Sequence, residues 1–230
     1  MTIKAKQEIE KAEVIVGYQT YLKLIEPIIK EGVEVISGKM GQEVERARTA
    51  VMKALENKRV VVVSSGDPGI YGMAGLVLEV ADQDKESIPI EVVPGVTAAN
   101  AAAATLGAPL IGDFVVISLS DLLTPWNLIE RRLRAAAEAD FVIALYNPQS
   151  RGRREPLLKA YEILLEYRDP MTLVGIVRRA KRDGEDTTIT SLRDMLTHEI
   201  NMVTVVIVGN SRTYTINGKL VTPRGYNLSS

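Results

Sequence analysis

VVVVSSGDPGIYGMAG, residues 60–75, reads as an apolar strand that runs into a glycine-rich turn and then a helix. Four consecutive valines have no polar face, so their strand needs cover on both sides, as a central strand of a parallel α/β sheet has. Glycines at 66, 69, 72 and 75 let the backbone beyond the strand approach a ligand closely. The pattern is neither GxGxxG nor a Walker loop, which removes the usual support for dinucleotide or ATP phosphates. Asp67 carries two readings. It stands at the carboxyl end of a strand, where α/β folds place ligands, and it stands where a carboxylate caps a helix beginning near Ile70.

Outward from this stretch, β-branched runs at 13–17, 59–64, 90–93, 114–118, 141–146, 171–177 and 203–208 predict strands. Helical periodicity fills the gaps, most clearly at 42–57 and 126–139. This alternation predicts an α/β protein. The punctuation at 107–113 places a boundary that gives an N-terminal domain over 1–112 and a C-terminal domain over 113–230. The first sheet is expected to be mainly parallel. The second is expected to be mixed, because residues 213–216 and 219–221 flank Asn217 and Gly218, a pair that supplies the positive φ angles of a tight hairpin.

Composition narrows the chemistry. Lys plus Arg number 28 against 29 Asp plus Glu, for a net charge of −1, so the broad positive field of a nucleic-acid binder is missing. With no cysteine and a single histidine, His198, thiolate zinc sites, disulfides and cysteine nucleophiles are excluded, and imidazole chemistry is restricted to one side chain. His198 sits in MLTHEIN without a metal-binding pattern and reads as a surface or helix-end residue. The longest uncharged stretch, 92–112, is broken by Pro94, Gly95, Asn100, Gly107 and Pro109, so it reads as strand, turn and helix. The charged N-terminal residues predict neither signal peptide nor membrane anchor, and the expected location is the cytoplasm.

Further segments hold candidate ligand groups. In VVPGVTAANAAAATLGAPL, residues 92–110, Thr97 either caps an alanine-rich helix or offers its hydroxyl and amide to a ligand. Arg151, Arg153 and Arg154 follow ALYNPQS, and Arg178, Arg179, Lys181 and Arg182 follow TLVGIV. Each cluster reads as a solvated face or as a set of forks for a ligand with several carboxylates. Tyr18, Tyr71 and Tyr146 adjoin strand ends or glycine turns, where a phenol either packs in the core or donates to a ligand.

Taken together, SGDPGIYGMAG at 65–75, the segment 92–110, ISLSDLLTPW at 117–126, ALYNPQSRGRR at 144–154 and GIVRRAKRDGEDTTITSL at 175–192 resemble the tetrapyrrole methylase family. SGDPGIYG, LSDLLTPW and LYNP are most similar to its precorrin-3B and cobalt-factor III carbon-17 methyltransferases of cobalamin biosynthesis. The resemblance implies a two-domain α/β fold with S-adenosylmethionine held in the cleft between the domains, no protein-bound metal, a tetrapyrrole substrate and a homodimer. It places donor contacts on Ser65, Gly66, Asp67, Ile70, Thr97, Ala98, Asn147 and Ala180. Arg151, Arg153 and Arg154 are expected to meet the macrocycle's carboxylates. Asp67, Tyr71 and Tyr146 are the candidate proton donors for a methylation coupled to ring contraction.

The family opens with an apolar strand and a G-x-G-P-G-D turn, whereas the first residues here, TIKAKQEIEKAEVIVGY, resemble the helix and second strand that follow that turn. A shortened chain and a true variant are both compatible with this departure. The alternatives to carbon-17 chemistry are methylation at another macrocycle carbon and a truncated, non-catalytic donor- or tetrapyrrole-binding protein.

Overall fold

The computed structural model describes residues 1–83, 88–150 and 152–227. The chain divides into two compact units, Met1–Thr97 and Ala98–Ser230. The division falls ahead of the expected 112/113 boundary because the alanine helix after Thr97 packs its Ala99, Ala102 and Leu106 into the core of the second unit.

In the first unit the order is α1 (Ile3–Lys11), β1 (Val14–Tyr18), α2 (Gln19–Ile25), β2 (Glu34–Gly38), α3 (Glu43–Leu55), β3 (Val60–Val63) and α4 (Ala74–Gln83). Its strands form a parallel sheet in the order β2-β1-β3. The alternation of β1 covers both faces. Ile15 packs with Ile9, Leu22 and Ile25 from α1 and α2, while Val14 and Val16 pack with Ala50 of α3. The central place thus belongs to β1, and the four valines of β3, expected to be central, are half-buried with one ladder partner among the described residues. Residues 90–93, expected as a strand, form no ladder. They are tied instead to the start of α1: Thr2 Oγ1 donates to Pro94 O at 3.1 Å and Lys4 pairs with Glu91.

The second unit contains α5 (Ala98–Leu106), β4 (Gly107–Ala108), β5 (Phe114–Ser118), α6 (Trp126–Glu138), β6 (Val142–Tyr146), α7 (Glu155–Tyr167), β7 (Leu173–Arg178), β8 (Asp186–Ser191), β9 (Thr204–Val208), β10 (Tyr214–Ile216) and β11 (Lys219–Val221). Five strands form a mixed sheet in the order β5-β6-β9-β7-β8, with β5 parallel to β6 and the other neighbours antiparallel. Alternate residues of its buried strands point to opposite faces. Leu145 and Val206 pack with Leu133 and Leu164 of α6 and α7, and Ala144 and Ile207 pack with α5. The expected hairpin is present: β10 pairs antiparallel with β11 around Asn217 and Gly218, whose φ angles are 47° and 72°.

Candidate functional site

In the first unit the chain leaves β3 through Ser64 and reaches α4 only at Ala74, four residues beyond the helix start expected near Ile70. The intervening loop is folded on itself. Ile70 N donates to Asp67 O at 3.2 Å, Ala74 N to Pro68 O at 3.0 Å, and Met73 N to Ser64 Oγ at 3.1 Å. Asp67 is not the cap of α4. Its Oδ1 accepts from Gly69 N at 2.8 Å, a local turn, and its Oδ2 accepts from Gly95 N at 2.9 Å. One carboxylate therefore ties the loop after β3 to the turn at Pro94 and Gly95. The approach is close enough that a Cβ on Gly95 would lie 1.9 Å from Gly66 O, so this tie requires glycine at 95.

This arrangement gathers Ser65, Gly66 and Asp67 with Gly95, while Thr97, buried, ends the unit just before α5. Gly66 and Ile70 are exposed. Tyr71 is 59% exposed and holds φ = 52°, an uncommon conformation for a bulky residue. Local spacing could not show the bond from Asp67 to Gly95, since it joins residues 28 apart.

In the second unit Tyr146 is buried at the end of β6, and its hydroxyl accepts from Ala99 N at 2.5 Å, satisfying one of the amides at the start of α5. The same cluster packs Ala98 and Ala180 against Ala99 and Tyr146, so three of the expected site residues share one neighbourhood. Asn147 follows with φ = 50°, its Nδ2 donating to Ser118 Oγ at 2.9 Å. That hydroxyl also accepts from Ser120 N at 3.2 Å. Ala180 lies between Arg179 and Lys181, whose φ angles are 53° and 56°, in a turn held by Arg179 N donating to Val203 O at 2.9 Å.

The basic residues separate. Arg153 turns inward, its Nη1 donating to Leu119 O at 2.8 Å and its Nη2 to Asn147 O at 3.3 Å. Expected to meet the macrocycle's carboxylates, Arg153 here directs Nη1 and Nη2 to the protein's own carbonyls. Arg154 is exposed, and Arg151 lies outside the described residues. Arg178 pairs with Glu199 at 2.8 Å and Asp186 at 3.5 Å. His198 is half-buried beside Thr190, its Nε2 3.1 Å from Oγ1. Ser118, Leu119 and Gly95 were not singled out from the sequence as site groups; their part depends on contacts across distant loops. Among the described residues, no group of three or more His, Asp or Glu is arranged to hold a metal ion, and no helix is long and apolar enough to cross a membrane.

Two α/β units with backbone-rich loops at their strand ends define the fold of a tetrapyrrole methylase. The pattern of the tetrapyrrole (corrin/porphyrin) methylases matches residues 1–196, and the chain belongs to that family. It is 47% identical over 228 residues to the probable cobalt-factor III C(17)-methyltransferase of Salmonella typhimurium, covering 99% of this chain and 94% of that protein. It is 49% identical over 230 residues to the cobalt-factor III methyltransferase of Priestia megaterium, covering 98% of this chain but 42% of that longer relative. The solved structure of the methyltransferase CobJ matches with a TM-score of 0.92 at 38% identity, over 97% of this chain and 93% of the other. A uroporphyrin-III C-methyltransferase from Thermus thermophilus, solved with S-adenosyl homocysteine, shares the fold at 22% identity and a TM-score of 0.67, over 91% of this chain and 86% of the other.

Proposed function

We propose that the protein transfers a methyl group from S-adenosylmethionine to carbon 17 of cobalt-factor III or precorrin-3B, with ring contraction, in cobalamin biosynthesis. The observation that carries this reading is the 47% identity to the Salmonella relative over nearly the full length of both chains. The methyl donor supplies an electrophilic methyl group on a sulfonium sulfur. The residues present fit such a donor, because Gly66 is exposed at φ = 72° and carries no side chain to cover the loop at that point.

The donor contacts are assigned to Ser65, Gly66, Asp67, Ile70 and Thr97 on the first unit, and to Ala98, Asn147 and Ala180 on the second. Most of these offer backbone groups, and the side chains beneath them hold the loops still. Fixing donor and acceptor in line accounts for up to about 7–11 kcal/mol of barrier lowering. Of the three candidate proton donors, Tyr71 suits ring contraction best, because it is exposed. The Asp67 carboxylate already accepts two amides, and the Tyr146 hydroxyl is buried against Ala99 N. Exposed Arg154 is left to meet a carboxylate of the macrocycle.

Anaerobic incubation with methyl-labelled S-adenosylmethionine and each macrocycle, followed by NMR of the product, tests the reading. Label on carbon 17 supports it, label at another carbon moves the protein to a neighbouring methylation step, and absence of transfer refutes it. The same reading includes a homodimer in the cytoplasm, for which sedimentation equilibrium gives the mass.

A further inference from the structure

Arg153 is anchored at both ends. Its backbone exchanges two hydrogen bonds with Ser150, N to O at 3.0 Å and O from N at 3.1 Å. Its side chain, 19% exposed, reaches back across the sheet edge to Leu119 O, Asn147 O and, at 3.5 Å, Asp121 Oδ1. It thereby joins the turn after β5 to the turn after β6. Leu119 N donates to Tyr146 O at 2.9 Å, so the guanidinium sits where the β5–β6 ladder ends and takes the carbonyls beyond it.

We propose that Arg153 is a positioning residue for the methyl donor, holding Asn147 in its left-handed conformation, rather than an arm that binds the macrocycle. The inference rests on the assignment of Asn147 as a donor contact. Two bonds fix Asn147 from opposite sides: its side-chain amide to Ser118 Oγ and its carbonyl to Arg153 Nη2. Asparagine tolerates φ = 50° but does not require it, so loss of the charge-assisted bond releases the backbone to other conformations. A planar fork reaches two carbonyls together, which a lysine ammonium at the same position does with poorer geometry.

The test is calorimetric titration of S-adenosylhomocysteine into the wild type and into Arg153→Ala, Arg153→Lys, Asn147→Ala and, as a charge control, Arg131→Ala on the exposed face of α6. Arg153→Ala is expected to weaken binding about tenfold, in line with the loss of one hydrogen bond to a charged group. Arg153→Lys recovers part of the loss, Asn147→Ala weakens binding to a similar degree, and Arg131→Ala leaves it unchanged. In steady state the donor KM rises while the macrocycle KM stays within twofold. If Arg153→Ala does not fold, Arg153→Lys carries the comparison.

Loss of donor affinity in Asn147→Ala with none in the folded Arg153 variants overturns the inference alone. No loss in Asn147→Ala removes the donor assignment and the inference with it. Salt-dependent weakening of macrocycle binding without donor weakening assigns Arg153 to the substrate.

Discussion

The two units solve one problem with opposite chemistry. In the first, an acid ties two loops by accepting from backbone amides: Asp67 joins the turn after β3 to Gly95. In the second, a base ties two loops by donating to backbone carbonyls: Arg153 joins Leu119 to Asn147. The acid is short, so its loops meet at backbone distance and need glycine. The arginine is long and reaches carbonyls beyond the last ladder bond between its loops, so this tie is a flexible side chain and needs no glycine. The first tie is therefore the more brittle, because a clash between main chains has no rotamer to relieve it.

Substitution at Gly95 has the largest expected effect. In Gly95→Ala the new Cβ meets Gly66 O, which is backbone and cannot step aside. Destabilisation of about 1–3 kcal/mol or more and loss of measurable donor binding are expected, read by thermal melts and calorimetry. A variant that melts with the wild type and binds normally would end the claimed difference between the ties.

Asp67→Asn comes next. It keeps the shape but turns an NH2 group toward an amide that needs an acceptor, costing about 1–3 kcal/mol and roughly tenfold in donor affinity. A proton-donor role for Asp67 predicts the opposite split, an unchanged donor Kd with kcat reduced by about 10²–10⁴.

A smaller effect belongs to Tyr146→Phe, which removes the hydroxyl that accepts from Ala99 N. A loss of about 1 kcal/mol in stability and a few-fold loss in donor affinity are expected, with kcat little changed. A kcat loss of about 100-fold with intact binding would return Tyr146 to the catalytic acid.

The smallest effects are those of pH. Burial raises the Glu43 carboxyl, but its own amide, Arg46 and the Gly41 amide bring it, on balance, below its ordinary value. In the second unit the Ser191 hydroxyl, then Arg193, lower Asp194. Both carboxyls are depressed in the fold, so their contribution is present above the unfolded value and is lost as pH falls below about 4. Melting from pH 6 to 3 should show a slightly shallower decline in Glu43→Gln and in Asp194→Asn. An unchanged slope in both would remove this assignment.

The buried parts of the fold were legible because they repeat. The runs at 141–146 and 203–208 lie within a residue of β6 and β9, the fully buried apolar strands, and the run at 114–118 matches β5, an edge strand whose FVVI is apolar although only Ile117 is buried. The edge strands β2, EVISG, and β8, DTTITS, carry polar and exposed residues and were not separated from loops, although threonine-rich β8 has the propensity. The glycine loop was legible from its position after β3. Asp67's bond to Gly95 and Arg153's inward turn were not, since each depends on which backbone group a distant segment presents.

The most direct test is calorimetric titration of S-adenosylhomocysteine into the wild type and Gly66→Val. Gly66 holds φ = 72°, which a β-branched residue resists, and it is one of the exposed residues of the first loop. The account predicts saturable one-site binding to the wild type and none to a Gly66→Val protein that still melts cooperatively. Equal affinity in that folded variant would contradict it.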